Sequence, residues 1–289
     1  MVIELVGLTH HRDRNPRRTP RCRVRPLGRA ERGIVGSVSF RVGADAYDRF
    51  MGRYSVPLAP LLADFAAVTA GQRVLDVGCG PGALTTELVK RLGPVAVSAV
   101  DPSESFVDAA ITRHPGVDVR RAAAEDLPFD DAAFDAALAQ LVVHFMVDPV
   151  AGLGEMRRVT RRGGVVAACV WDHEGGGGPL SVFWEAARRL DPGVAGEAGL
   201  AGAREGHLGE LFHGAGLRDV EETALTVTVE HPSFEDWWEP FMLGVGPAGA
   251  HLAGLKAQQQ GLLRDECRRL LPAAPFAVRG RAWAARGVA

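Results

Sequence analysis

The chain reads as an α/β protein: a doubly wound, mostly parallel, seven-stranded sheet with helical insertions near its C-terminus. Three observations predict this. Short apolar runs alternate with stretches of helical periodicity between residues 58 and 171, which is the rhythm of consecutive βαβ units. The strand runs are nearly continuous in apolar residues, as strands covered on both faces must be. Three glycines, Gly78, Gly80 and Gly82, directly follow the first strand, where a turn into a helix beside a ligand needs bare backbone.

The elements follow in order. Leu58, Leu61, Leu62, Phe65 and Val68 fall at helical spacing, and Gly71 suits the close of that helix. "RVLDVG" (73–78) is the first strand and "ALTTELVKRL" (83–92) a helix. A second strand is expected over 95–101, and Pro102 and Ser103 open a helix that runs to 114. Third and fourth strands occupy 117–123 and 134–143, a helix 150–160, and a fifth strand 164–171. After Trp171 the rhythm changes. "DHEGGGGPL" (172–180) reads as a flexible link, and 181–190 and 206–217 as helices. "ALTVTVE" (224–230) alternates in polarity as a sixth strand. Two inserted helical segments, 234–246 and 253–271, precede "FAVRGRAWAARG" (276–287), which is expected as a last strand in the edge region.

Bulk composition narrows the function. The 289 residues are 47% hydrophobic with a formal net charge of −2, an ordinary globular balance that argues against nucleic acid as the main partner. Residues 1–40 hold nine arginines against Glu4, Asp13 and Glu31, a local +6 that leaves −8 for the rest. Lacking hydrophobic period, residues 1–44 are expected to form a disordered basic extension. No run approaches the roughly 18 apolar residues of a membrane span. Cys22, Cys79, Cys169 and Cys267 show neither a CxxC pair nor metal-ligand spacing; they read as free thiols in a reducing cytoplasm, with no metal site.

The glycine turn is the chemical centre of the sequence. "GCGPGA" (78–83) satisfies the dinucleotide pattern, and Asp101 stands nineteen residues beyond Gly82, where a ribose-binding carboxylate belongs. Asp76, however, would repel a pyrophosphate and face a cation. Pro81 also removes an N–H that a phosphate cradle would use. These residues favour a cationic nucleotide-like ligand and leave a nicotinamide-dependent oxidoreductase as the alternative.

Four stretches in order, "VLDVGCGPG" (74–82), "AVDPS" (99–103), "AAEDLPFDDAAFDAALAQLVVHF" (123–145) and "EMRRVTRRGGVVAACVW" (155–171), closely resemble the class I S-adenosylmethionine-dependent methyltransferases. Within them the chain looks like the ubiquinone and menaquinone C-methyltransferase group. The resemblance covers about 45–289, including "AYDRFMGRYS" (46–55) ahead of the core. It implies a Rossmann-like domain over 45–289, with a cofactor-binding core at about 58–171 and acceptor or lid elements at about 172–275. It further implies S-adenosylmethionine as cofactor and in-line methyl transfer to a small hydrophobic or aromatic molecule.

Carried over residue by residue, Asp76, Gly78, Cys79, Gly80 and Gly82 would surround the amino-acid half of the cofactor. Asp101, followed by Pro102, would accept the ribose hydroxyls. Ala124, Glu125 and Asp126 would lie in the turn facing adenine. Ala123 departs from the hydrogen-bonding residue, often Asp, that many relatives place there. Gln140 falls near the sulfonium, and Tyr47 and Arg53 are candidates for the methionine carboxylate. His144 is the candidate base. Trp171, Trp237, Trp238 and Phe241 are candidates for the acceptor site, the latter three as a movable cover in which one tryptophan packs and the other lines a pocket. A non-catalytic cofactor-binding regulator is the remaining alternative.

Overall fold

The structure is a computed structural model and describes residues 43–289; the expected basic extension, apart from its last two positions, lies outside them. The described chain opens with a short helix, α1 (Ala44–Tyr47), a π-helical turn (Asp48–Gly52) and α2 (Arg53–Phe65). The first βαβ units follow as β1 (Val74–Val77), α3 (Ala83–Leu92), β2 (Val97–Asp101), α4 (Glu104–Arg113), β3 (Asp118–Arg121), β4 (Phe134–Gln140), α5 (Pro149–Val159) and β5 (Thr160–Trp171). Beyond β5 come α6 (Ser181–Leu190), α7 (His207–Gly214), β6 (Arg218–His231), α8 (Phe234–Trp238), α9 (Gly246–Gly254), α10 (Ala257–Leu270) and β7 (Phe276–Val288).

The seven strands form one sheet in the order β3-β2-β1-β4-β5-β7-β6. The first five are parallel, β7 runs antiparallel to β5, and β6 antiparallel to β7. Every residue of β1 and β2 is buried, which is why those runs are apolar except for Ser98 and the two aspartates, Asp76 and Asp101, towards their carboxyl ends. One face is covered by α2, α3 and α6, through Leu58, Leu62, Leu84, Leu88 and Phe183. The other is covered by α5 and α7, through Leu153, Met156, Leu208 and Phe212.

Three expectations are corrected. The last strand is not at the edge: β7 lies between β5 and β6, and β6 closes the sheet. Along β7 one face is buried and the other exposed or intermediate, whereas β6 is mostly exposed. The fourth strand stops at Gln140, short of 143, because Leu141 turns the chain with φ +62°, a left-handed conformation that no strand continues. The segment 172–180 is not a loose tether. It wraps the buried Asp172 carboxylate, which accepts from Gly175 N (2.9 Å) and from the Arg281 guanidinium of β7, Nε at 2.9 Å. A Cβ at Gly177 would fall 2.5 Å from Asp172 Oδ2, so glycine there is a packing requirement.

Candidate functional site

A cavity of about 780 Å³ opens at the carboxyl ends of β1, β2 and β4, where ligands sit in doubly wound sheets. Its wall includes Asp76, Gly78, Cys79, Gly80, Asp101, Pro102 and Gln140 from the sequence-predicted set, with Tyr47 from α1. The turn after β1 is tied across the sheet, Gly78 N and Cys79 N both donating to Val100 O at 2.8 and 2.9 Å. Gly78 has φ +70°, and a Cβ there would meet Val142 at 2.5 Å; no side-chain-bearing residue fits without displacing the loop after β4. Gly82, at φ +101°, faces the His114 ring just as closely and starts α3.

The two carboxylates differ in environment. Asp101 accepts from Gly80 N (Oδ2, 2.9 Å) and Ser103 N (Oδ1, 2.8 Å), tying the first two βα turns together. A carboxylate offers about four lone-pair sites, so each oxygen keeps one towards the cavity. Asp76 accepts from Thr85 Oγ1 at 2.6 Å through Oδ2. Its Oδ1 is buried with no partner, and burial pushes the carboxyl up to about 7. On the adjacent strand, Gln140 donates through Nε2 to Ser55 O (2.9 Å) and leaves Oε1 buried without a partner. Among the described residues, the one basic side chain in the wall is Arg121, on β3, two strands from β1, where it engages Glu104 and Pro102 O.

Other predicted residues lie elsewhere. Ala124, Glu125 and Asp126 are not in the cavity wall. Glu125 is drawn to the start of α5, where Oε1 accepts from Val147 N (2.7 Å) and Asp148 N (3.2 Å). Arg53 turns away from the cavity: its Nη1 donates to Asp236 Oδ2 at 2.9 Å. That carboxylate also holds His231 Nδ1 (2.8 Å), and Tyr54 Oη lies 3.0 Å from His231 Nε2. Burial lowers the His231 pKa, so the neutral ring donates from Nδ1 and accepts at Nε2.

Trp237, Trp238 and Phe241 are 3%, 4% and 2% exposed; Trp237 and Phe241 border a cavity of about 10 Å³ with Tyr54 and His231, while Trp238 does not reach it. Phe241 stacks on Phe183 at 4.7 Å and contacts Trp237 at 4.8 Å, and Trp238 stacks on Phe234 at 6.0 Å. The helix α8 passes into a 3-10 turn at Glu239 and sits among neighbours that cover more than one of its faces. These rings pack into the hydrophobic core and do not line the large cavity.

A second, small cavity of about 40 Å³ shares Tyr47, Leu141 and Phe145 with the first. Trp171 lies in its wall with Phe50, Met51 and Leu180, and Trp171 Nε1 donates to Met51 Sδ at 3.3 Å. His144 opens here and not into the large cavity, with Nδ1 buried and unpartnered. Beside it stand His173 and Glu197, which sequence reasoning missed. The three come from separate loops, fifty-three residues end to end, so no local spacing announces them. Among the described residues the remaining cysteines, Cys79, Cys169 and Cys267, are free thiols. No described helix is long and apolar enough to cross a membrane.

Residues 75–168 match the protein family described as "Methyltransferase domain". An uncharacterised methyltransferase of Mycobacterium tuberculosis is 39% identical over 136 residues, 47% of this chain and 53% of that protein. The chain thus spans about half the length of this relative. A malonyl-[acyl-carrier protein] O-methyltransferase of Hahella chejuensis is 27% identical over 215 residues, covering 68% of this chain and 76% of that one. Among solved structures, the YcgJ protein of Bacillus subtilis superposes with a TM-score of 0.54 at 19% identity, over 80% of this chain and 97% of that one. That likeness shows a shared Rossmann-like fold.

Proposed function

We propose that this protein is an S-adenosylmethionine-dependent methyltransferase acting on a small, apolar or aromatic acceptor, as its methyltransferase domain and the four sequence motifs suggest. One observation carries the reading of the cofactor. The inner end of the large cavity presents two buried, unpartnered acceptors, Asp76 Oδ1 and Gln140 Oε1, and among the described residues no basic group stands beside them. Unmet acceptors in a buried site call for a cationic, N–H-bearing ligand. They disfavour the pyrophosphate of a nicotinamide dinucleotide.

When bound, the sulfonium of S-adenosylmethionine supplies an activated methyl group. The chain's own residues then bind, orient and exclude water. Asp76 and Gln140 would receive the cationic amino-acid half, and a nearby positive charge would return Asp76 to its ionised form. The free lone pairs of Asp101 suit a pair of ribose hydroxyls. Tyr47, its ring edge-on to Phe106 at 5.5 Å, lies in the walls of both cavities and shields them from solvent. The smaller cavity, bounded by Phe50, Met51, Phe145 and Trp171, is the acceptor side in this reading. The kinship with quinone C-methyltransferases rests on the motifs alone.

Calorimetry with S-adenosylmethionine and with NADH, followed by tritium transfer from methyl-labelled cofactor into a metabolite extract, tests this. Binding of the first ligand with transfer of label is the expected result. Binding without transfer would favour a non-catalytic regulator, and binding of NADH alone would overturn the proposal.

A further inference from the structure

The small cavity ends on three ligating side chains that no sequence motif accounts for. His144 lies in the 3-10 turn Val143–Phe145 after β4, His173 two residues after β5, and Glu197 in the loop between α6 and α7. One ligand atom from each lies within 4.8 Å of the others. His173 Nε2 stands 3.9 Å from Glu197 Oε1, and both side chains are 4% exposed. That gap is too long for a hydrogen bond, so the three do not form a proton relay. His144 Nδ1 and His173 Nε2 are instead buried nitrogens without partners, a condition native interiors rarely tolerate without reason.

Glu197 is held for a role at Oε1. Its other oxygen accepts from Trp184 Nε1 at 2.7 Å, the kind of outer hydrogen bond that orients a ligating carboxylate.

We propose that His144, His173 and Glu197 bind one divalent transition-metal ion whose open coordination position faces the small cavity and takes an anionic oxygen of the methyl acceptor. The role given to the acceptor rests on the methyltransferase reading; the metal site does not. Two imidazoles and one carboxylate with a fourth position open is the donor set of catalytic zinc. Bonds of about 2.0–2.1 Å place tetrahedral ligands about 3.3 Å apart, so the side chains close by roughly an ångström around the ion. The ion and Glu197 together leave one buried positive charge. A single anionic oxygen cancels it, and an unpaired buried charge is costly. This selects acceptors with a carboxylate, or with a hydroxyl that releases its proton to water on coordination.

The test uses the full chain, stripped with a chelator and titrated with Zn²⁺ and with Co²⁺ by calorimetry, without S-adenosylmethionine. One ion per chain is expected. Glu197→Gln, which keeps the side chain's size and its contact with Trp184, is expected to weaken binding at least tenfold and to abolish the visible absorption of bound Co²⁺. The variant His10→Ala with His11→Ala is expected to bind as the parent does. Absence of stoichiometric binding, or equal affinity in Glu197→Gln, would overturn the site. Acetohydroxamate, an anionic oxygen ligand, is expected to shift the Co²⁺ spectrum; an unchanged spectrum would overturn the open position. Calorimetry of the same protein with S-adenosylmethionine reports separately on the methyltransferase reading.

Discussion

At Asp76, stability and binding pull in opposite directions. A carboxyl raised from the usual 3.8 to about 7 by burial binds its proton more tightly folded than unfolded. Between those two values the folded state holds more protons, so stability falls as pH rises from about 4 to 7 and stays low above. The full cost is up to about 4 kcal/mol. Asp76→Asn removes the titration. Relative to the parent it is expected to gain about 3 kcal/mol in stability between pH 5 and pH 8, read by urea unfolding at each pH. Its affinity for S-adenosylmethionine is expected to fall at least tenfold, since the charge facing the cation is gone. For the parent protein, the same argument makes cofactor affinity rise with pH through about 7. Burial also raises Asp101 above the usual carboxylate value, but two backbone N–H groups that donate to it oppose the rise. Asp101→Ala is expected to lower cofactor affinity at least tenfold by calorimetry, a charge-assisted bond contributing about 1.5–3 kcal/mol. Both aspartates were legible in the sequence, because each stands at a fixed offset from the glycine turn. The partners of Arg53 were not: His231 and Asp236 lie nearly 180 residues away, and a surface-type arginine announces no buried partner.

At the level of elements, largely apolar runs made β1, β2, β4 and β5 legible, and helical spacing did the same for α2. Boundaries failed where a single residue overrides the period, as Leu141 does after β4. The glycine tract at 175–178 shows the limit of composition. Four consecutive glycines suggest flexibility, yet two of them make room for one carboxylate. The readings are separable. In a flexible link, Gly→Ala stabilises by about 0.4–1 kcal/mol through the unfolded chain. In the structure, Gly177→Ala pushes a methyl into the Asp172–Arg281 pair. It is therefore expected to destabilise by about 1–3 kcal/mol, seen as a lower midpoint in chemical denaturation. The aromatic segment 234–241 was only partly legible. Hydrophobic pattern says that rings are covered but not by how many neighbours, and here the groove around α8 receives all of them.

For the whole molecule, the doubly wound plan was legible from strand–helix alternation, but the order of strands across the sheet was not. Period and composition are the same for a strand at the edge and for one inserted beside it. The order matters most at β7. Its residues Val165-facing Val288 through Trp171-facing Ala282 pair with β5, while Phe276 to Val288 pair with β6. Removing residues 276–289 would strip β5 of one neighbour and detach β6 altogether. Such a truncation is expected to abolish the cooperative unfolding transition in circular dichroism, whereas loss of a true edge strand would leave a weakened one.

The place of β7 also sets a timetable for biosynthesis. It is translated after the other six strands, yet it is the bridge between β5 and β6. While the ribosome is still adding residues 232–275, β5 shows an unpaired rim and β6 has nothing in the sheet to join. Open strand rims recruit other chains, so the interval before β7 emerges is the period when the nascent protein most needs a chaperone. Synonymous codons that slow elongation across that interval lengthen the exposure.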